Sequence, residues 1–262
     1  MKKLLIVLGW FASLTVAAQP QPGPYVVVDL FKVAQSKTAA YTKMEKDMWK
    51  PIHQQRLKAG EILGWYLYAV DFAGEGSEYN YVTVTVVDKL SRLDNVNYEN
   101  WIKTVHPKRM VDEFTKTTLD ARVLVRSELA RRVVAANPPK APEKPDPMLS
   151  INFYNAHSGQ EEAYSNFVSS VLFPVTQELA NQGKDSGSAF WEIWYPAGKS
   201  AKYNYVFASP QKSWASSEAD IGYNEAYKKV NPTLSNAEFR KVLVGLRDHQ
   251  KSEVWWLVDY VQ

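Results

Sequence analysis

The sequence contains no cysteine among its 262 residues. This absence excludes disulfide bonds, thiolate nucleophiles and cysteine-ligated zinc sites. The four histidines share no metal-ligand spacing, so no metal site is predicted. The formal net charge is only +3, and the chain therefore lacks the strongly basic character of a nucleic-acid-binding domain. We expect no metal, no cofactor and no nucleic-acid partner.

Long apolar runs are also scarce. The run that stands out covers residues 4–16, follows two lysines and precedes the small residues Ala17 and Ala18. This arrangement is typical of a secretory signal peptide over residues 1–18, because a membrane-spanning helix needs about 20 apolar residues. A retained anchor is the alternative. We expect an exported protein, periplasmic or extracellular, whose mature chain has no membrane span.

What the sequence does have is internal repetition. The segment Tyr79-Asn80-Tyr81-Val82 returns as residues 203–206, and other matches, such as Pro51 with Pro174, recur at nearly the same spacing. The spacing drifts by only a few residues, which places the insertions in loops. Such self-similarity predicts one supersecondary unit that packs against its own copy.

Each copy has the pattern of a β-α-β-β-α-β unit. We assign repeat 1 to residues 25–134, a proline-rich linker to 135–148 and repeat 2 to 149–262. Pro51 lies inside the predicted first helix and predicts a bend there. The predicted strands cover residues 25–33, 62–72, 79–87, 127–134, 149–156, 189–195, 203–209 and 252–261. The predicted helices include 36–59, 110–125 and 235–246.

Side-chain alternation along these strands predicts two unlike faces for each sheet. One face carries aliphatic residues such as Val26, Val28 and Val84, and we expect it to lie under the helices. The other face is rich in rings and is too apolar to be left in water. We therefore expect the two sheets to close face to face. The candidate ligand-binding residues of this interior are Tyr66, Tyr68, Tyr79, Tyr81, Glu128, Tyr154, Trp194, Tyr203, Tyr205 and Glu253, together with His53 from the first helix.

This combination of topology, duplication and ring placement resembles the dimeric α+β barrel superfamily. That group includes antibiotic-biosynthesis monooxygenases, stress-responsive barrel proteins and NIPSNAP-like proteins. The resemblance implies an α+β fold in which two ferredoxin-like repeats pack their antiparallel sheets as one intramolecular pseudo-dimeric barrel. Because the repeats pair with each other, a monomer is sufficient to close it. No diagnostic catalytic motif accompanies the resemblance.

Three functions are compatible with these features, and whether the chain is an enzyme stays open. The first is the binding of a small apolar or aromatic ligand in the barrel. The second, implied by the resemblance, is a cofactor-free monooxygenase or a haem-handling enzyme with His53 near the cavity. Thr176 replaces His53 in the second copy, so this role would belong to one half. The third is an interaction protein whose barrel is sealed by its own tyrosines and by ion pairs of Glu128 and Glu253.

Overall fold

The computed structural model describes residues 23–198 and 201–262, so the predicted signal peptide lies outside the described residues. In this part of the chain the strands are β1 (Tyr25–Lys32), β2 (Gly64–Val70), β3 (Tyr81–Val87), β4 (Val123–Ala135), β5 (Met148–Ala156), β6 (Ala189–Tyr195), β7 (Tyr205–Gln211) and β8 (Arg247–Val261). They form one closed barrel in the order β1-β3-β2-β8-β5-β7-β6-β4, with antiparallel neighbours throughout.

Two seams join the halves of the barrel. The first half contributes β1–β4 and the second half β5–β8, and the seams are the pairs β2–β8 and β4–β6. Leu67 lies opposite Asp259 in one seam, and Arg131 lies opposite Glu192 in the other. Each strand therefore has a partner on both sides, which leaves the sheet no free edge. The predicted α+β fold, two ferredoxin-like units closed as one pseudo-dimeric barrel, is confirmed.

The long helix of each repeat contains a wider turn before its proline. In the first half α1 (Thr38–Met44) continues through a π-helical turn, Glu45–Trp49, into α2 (Lys50–Lys58). The second half repeats this arrangement with α5 (Glu161–Phe167), the π-helical turn Val168–Leu172 and α6 (Phe173–Asn181). Pro51 and Pro174 stand in the first turns of α2 and α6, where a missing N–H is best tolerated. Each of these helices therefore changes its winding just before the proline, and a bend of the axis at Pro51 stays a prediction.

The remaining helices complete the outer layer. They are α3 (Tyr98–Val105), α4 (Val111–Ala121), α7 (Trp214–Glu218), α8 (Tyr223–Val230) and α9 (Asn236–Leu246). Ser235 and Glu238 begin α9 with a reciprocal capping box. The helix predicted over 110–125 is too long, because β4 already begins at Val123. None of the helices in the described ranges is long and apolar enough to cross a membrane.

The two faces of β1 and β3 are the reverse of the prediction. Val26, Val28 and Val84 line the barrel interior, whereas Phe31 and Tyr81 pack under the helices. The Tyr81 ring contacts the Tyr41 ring of α1 edge to face, with centroids 4.7 Å apart. Aliphatic side chains line most of the barrel interior, while rings such as Phe31, Tyr41 and Tyr81 pack together between the sheet and the helices.

Candidate functional site

Some of the residues predicted for the barrel interior do lie there. Tyr66, Tyr68 and Glu128 line the barrel cavity. Tyr79 and Tyr203 pack into the same interior core at one end of the barrel. Each of these two tyrosines precedes its strand by two residues, and its hydroxyl reaches a carboxylate of the opposite half.

Two hydrogen-bonded clusters close that end of the barrel. Tyr203 donates to both oxygens of Glu128, at 2.7 and 2.8 Å, and Arg126 Nε donates to Glu128 Oε1 at 2.7 Å. In the mirrored cluster Tyr79 donates to Glu253 Oε1 and Oε2, at 2.9 and 2.8 Å. Burial, reinforced by the neighbouring carboxylate, raises the pKa of both tyrosines far above the usual range, so they stay protonated donors. Lys251 Nζ also donates to Glu253 Oε1 at 2.7 Å, so each glutamate has a cationic partner. These contacts favour the ion-pair interpretation of the two glutamates and tie one half to the other.

Four other predicted interior residues lie outside the barrel. Tyr81 and Tyr205 contact the helix rings Tyr41 and Tyr164, and Tyr154 lies under the guanidinium of Arg247 at 3.6 Å. Trp194 packs against Tyr25, with centroids 5.5 Å apart, and its Nε1 donates to Glu192 at 3.0 Å. The inward orientation predicted for Tyr81, Tyr154, Trp194 and Tyr205 is therefore wrong.

The repeated Tyr-Asn-Tyr-Val segment explains part of the error. Tyr79 lies before β3, where the alternation of a strand does not apply, so Tyr79 and Tyr81 point to different sides of the sheet. Asn80 between them donates to Val33 O at 2.8 Å and accepts from Val33 N at 2.9 Å. Asn204 likewise accepts from Ala156 N at 2.9 Å. The repeat therefore fixes this loop to the end of the neighbouring strand.

His53 also lies outside the barrel, in a separate cavity of about 270 Å³. This cavity, the first-half cleft, lies between the helices and the outer face of β1–β4. It is lined by Asp29, Phe31, Glu45, Trp49, His53, Trp65, Thr83, Thr85, Tyr98, Thr118, Leu119, Arg122 and Leu124. The prediction that His53 lies in the barrel interior is wrong because α2 covers the outer face of the sheet.

A buried ion pair forms one wall of the first-half cleft. Glu45, only 1% exposed, is held by the π-helical turn and accepts a hydrogen bond from Arg122 Nη1. Burial raises the pKa of Glu45 from 4.5 to about 7, although the positive charge of Arg122 opposes the shift. The guanidinium also lies 3.9 Å from the centroid of the Phe31 ring. Glu45 therefore titrates near neutrality, as a general acid or base requires.

Asp29 supplies a second carboxyl group to the first-half cleft. It lies on the outer face of β1, and Ser127 Oγ donates to its Oδ1. Burial raises the pKa of Asp29, while the Ser127 hydrogen bond and the charge of Arg122 oppose this effect. Two carboxyl groups with raised pKa values thus share one arginine.

His53 is held neutral between aromatic rings. Its imidazole stacks on Trp65 at 4.7 Å and 11°, and Trp49 lies at 6.0 Å and 24°. Burial lowers the pKa of His53 well below its usual value, and the charges of Arg56 and Arg122 add to this effect. Arg56 Nη1 lies 3.5 Å from His53 Nδ1, and a guanidinium has no acceptor. We therefore assign the imidazole proton to Nε2.

The buried Arg56 is itself held in place. Its Nε donates to Glu61 at 3.2 Å and its Nη1 donates to the Tyr98 hydroxyl at 3.0 Å. Its side chain is only 1% exposed. These contacts fix the guanidinium beside His53, and so they fix the tautomer of the imidazole.

The second half has the scaffold of the cleft without its ionisable groups. Repeat spacing aligns Arg122 with Arg247, but the other counterparts are mostly apolar or uncharged. Rings and branched side chains pack there, such as Phe173 and Phe207, whose centroids lie 5.5 Å apart. The counterparts of Asp29, Glu45, Trp49, His53, Arg56 and Thr83 are Asn152, Val168, Leu172, Thr176, Leu179 and Phe207.

No protein-family model matches the chain, and no curated protein matches it in sequence. Solved structures do match over nearly the whole length. A provisionally assigned monooxygenase from Lactobacillus acidophilus is 13% identical, with a TM-score of 0.55, over 92% of this chain and 96% of that chain. A provisionally assigned monooxygenase from Fusobacterium nucleatum is 11% identical, with a TM-score of 0.57, over 91% and 94%. The chain has the dimeric α+β barrel fold.

A haem-binding protein from Thermus thermophilus is also similar, at 10% identity and a TM-score of 0.49, over 91% of this chain and 92% of that chain. At the 13% and 11% identity of the two monooxygenase structures, the likeness shows the fold alone. The α+β barrel of this chain differs from a two-chain barrel in one respect, since a single polypeptide supplies all eight described strands. Its two halves are therefore free to differ in sequence.

Sequence reasoning missed Asp29, Glu45, Arg56 and Arg122 as members of one site. For all of these except Arg122, which matches Arg247, the available signal was the difference between the two copies. Glu45 and Arg56 are charged where the second copy has Val168 and Leu179. The second repeat forms the same scaffold without these charged residues. A residue that is charged and buried in only one repeat is therefore a candidate for a functional role.

Proposed function

We propose that the protein is a cofactor-free, monooxygenase-like enzyme that oxidises a small hydroxylated aromatic molecule in the first-half cleft. One observation carries the proposal: a carboxyl group titrating near pH 7 and a neutral imidazole share a ring-lined cavity of about 270 Å³. Two similar structures with TM-scores above 0.5, both provisionally assigned monooxygenases, support it. Export to the periplasm or the cell exterior stays part of the proposal, from residues 1–18.

The reaction consumes one dioxygen per substrate molecule. A phenol loses its hydroxyl proton to the Glu45 carboxylate, and the electron-rich ring then reduces dioxygen. A carbon–oxygen bond forms on the ring, the oxygen–oxygen bond breaks, and the products are a quinone and one water. In this scheme His53 Nε2 donates a hydrogen bond to the developing phenolate oxygen. Phe31 and Tyr98 in the wall of the cleft supply apolar contact to the substrate ring.

A haem does not fit this cleft with His53 as its axial ligand. Iron binding needs an unprotonated imidazole nitrogen that faces open space. Nδ1 of His53 faces the Arg56 guanidinium, and Nε2 carries the proton. Trp65 also covers one face of the imidazole ring. The haem-handling alternative is not proposed.

Oxygen uptake with 1-naphthol tests the proposal. We expect one dioxygen consumed per 1,4-naphthoquinone formed, and a kcat lowered about 100-fold or more by Glu45→Gln. His53→Gln should lower it about 10- to 100-fold, whereas Thr176→Ala, at the position matching His53 in the second half, should leave it unchanged. The rate should rise with pH through about 7 in the native protein, because Glu45 must be ionised, and this rise should vanish in Glu45→Gln. Equal rates in the native protein and Glu45→Gln, or no oxidation at all, would refute the assignment.

A second candidate function is the binding of an uncharged apolar molecule inside the barrel. The interior keeps a cavity of about 290 Å³ whose wall is almost entirely apolar, with Val28, Tyr68 and Trp255 among its residues. An apolar cavity of about 150 Å³ is enough for benzene, so this one has room for about two fused rings. Because this space is left open, a barrel fully sealed by its own side chains is not proposed.

Fluorescence of 2-acetyl-6-(dimethylamino)naphthalene, a polarity-sensitive probe with two fused rings, distinguishes the two sites. We expect the probe to brighten on binding in the barrel, and Ala208→Phe, which fills the cavity from β7, to abolish the signal. Glu45→Gln should leave it unchanged, because Glu45 lies outside the barrel. Brightening that persists in Ala208→Phe would contradict a barrel site.

A further inference from the structure

The first-half cleft has ionisable groups at its buried floor and apolar side chains at its exposed mouth. Glu45 and His53, at 1% and 5% exposure, lie at the floor. Leu119 and Leu124 line the same cavity but are 69% and 53% exposed. Leu119 comes from the last turns of α4, and Leu124 lies near the start of β4, opposite Phe31. We call these two leucines the apolar lip.

The apolar lip is continuous with the cavity that holds the ionisable groups. Single exposed leucines are common on protein surfaces, so exposure by itself indicates nothing. Here two of them flank the opening of one polar-floored cavity, and Tyr98, also on its wall, is 39% exposed. In the second half the counterparts are Val244 and His249, and they accompany the apolar Val168 in place of Glu45.

The size of the cleft limits what it can enclose. Its volume of about 270 Å³ is less than twice the volume of a cavity that holds benzene, about 150 Å³. A substituted single ring or a bicyclic ring fills that space. A longer substituent on the ring must therefore leave through the mouth, where Leu119 and Leu124 offer it apolar surface.

We propose that the substrate is amphipathic: a hydroxylated ring that carries an alkyl or prenyl chain. The ring enters the cleft with its hydroxyl groups toward Glu45 and His53, and the chain lies on the apolar lip. This inference rests on the proposed function of the cleft as the ring site. It adds the chemical class of the substrate and assigns Leu119 and Leu124 as specificity-determining residues.

A matched pair of ligands tests the inference without turnover. Resorcinol and 5-pentylresorcinol carry the same hydroxylated ring and differ only in the five-carbon chain. Binding is measured by quenching of tryptophan fluorescence, since Trp49 and Trp65 line the cleft. If about half of the chain surface is buried on the lip, 5-pentylresorcinol should bind about 30-fold more tightly.

The double variant Leu119→Ser with Leu124→Ser isolates the lip. We expect the advantage of 5-pentylresorcinol to fall below about 3-fold, with the Kd of resorcinol unchanged. Both leucines are exposed, so the fold should tolerate the changes, and an unchanged Tm verifies this. Val244→Ser, at the matching exposed position of α9, should alter neither Kd.

The outcomes separate this inference from the function on which it rests. If the advantage of 5-pentylresorcinol survives in the double variant, the alkyl chain does not bind on the apolar lip and the inference is wrong. If the advantage disappears in Ala208→Phe instead, the alkyl chain binds inside the barrel. Equal affinity of the two ligands for the native protein would overturn it as well. If resorcinol fails to bind, or binds equally well to His53→Gln, the ring site itself is wrong and the inference falls with it.

Discussion

The two halves of the barrel place an arginine at the same position and surround it differently. Arg122 lies over Phe31 and pairs with the buried Glu45. Arg247 lies over Tyr154, at 3.6 Å, in a region packed with apolar side chains. The stacking of a guanidinium on a ring of the first strand belongs to the shared scaffold. The carboxyl group stands in one half only, where it lines the first-half cleft.

The contrast between Glu45 and Val168 helps to distinguish a residue kept for function from one kept for stability. Burying a carboxyl group costs free energy that an apolar residue of similar size does not cost, and the second half folds with Val168 at that position. The first half instead carries Glu45, Asp29 and His53 in a desolvated cleft. We regard that cost as the strongest physical argument for a site.

The largest expected effect comes from removing each arginine in turn. Arg122→Ala leaves the Glu45 carboxyl buried without its partner, and we expect a loss of about 3 kcal/mol in the free energy of unfolding at pH 8. Arg247→Ala removes mainly a cation–π contact and should cost about 1 kcal/mol. Urea unfolding of the two variants measures the difference. Equal losses would mean that Glu45 and Arg122 do not form the pair described.

The second prediction concerns the pH dependence of stability. The pKa of Glu45 is about 7 in the folded protein and about 4.5 when unfolded, so the unfolded chain releases this proton first as pH rises. Glu45 therefore contributes stability that is present below about pH 4.5 and is lost by about pH 7, by about 3 kcal/mol. In Glu45→Gln the fall in unfolding free energy across this window should be smaller by that amount. An unchanged slope would place the pKa of Glu45 at its ordinary value.

A smaller effect should distinguish the two clusters at the closed end of the barrel. Tyr203→Phe leaves Glu128 with Arg126 as its donor and should cost about 1.5 kcal/mol. Tyr79→Phe leaves Glu253 with Lys251 and Trp255 Nε1, at 2.7 and 2.8 Å, and should cost about 1 kcal/mol or less. Chemical unfolding of both variants tests this order. A larger cost for Tyr79→Phe would reverse it.

The smallest contrast is expected where the halves are alike. Gly60 and Gly183 follow the equivalent helices with φ of +69° and +72°, in a region that L side chains rarely adopt. Their added Cβ atoms would meet nothing within 4 Å, so backbone strain is the only cost. Gly60→Ala and Gly183→Ala should each lower the unfolding free energy by about 1 kcal/mol. Unequal losses would show that the two helix ends are not equivalent.

The architecture could be predicted from the sequence because duplication and strand alternation are local signals. The match of residues 79–82 with 203–206 and the turn residues between strands were sufficient for two ferredoxin-like units closed as one barrel. Which of the two strand faces points into the barrel was not predictable, because both faces carry apolar side chains. Tyr79 and Tyr81 look equivalent in sequence, and only the start of β3 at Tyr81 separates the interior from the helix side.

The cleft was beyond prediction for a different reason. Asp29, Glu45, His53 and Arg122 come from β1, the π-helical turn, α2 and the junction before β4. No spacing rule relates such distant positions, and each is unremarkable by itself. Comparing the copies position by position does find three of them, because Asp29, Glu45 and His53 stand where the second copy has Asn152, Val168 and Thr176. Arg122 is not found in this way, because the second copy has Arg247 at the matching position.

The seam between β2 and β8 has a consequence for how the molecule is made. β8 spans Arg247–Val261 and pairs with both β2 and β5. A ribosome releases β2 long before β8, and in the interval β2 has a hydrogen-bonding edge with no neighbour. Such edges recruit strands from other molecules. Closure of the barrel within one polypeptide therefore competes with the exchange of strands between two polypeptides. A low protein concentration favours closure within one polypeptide.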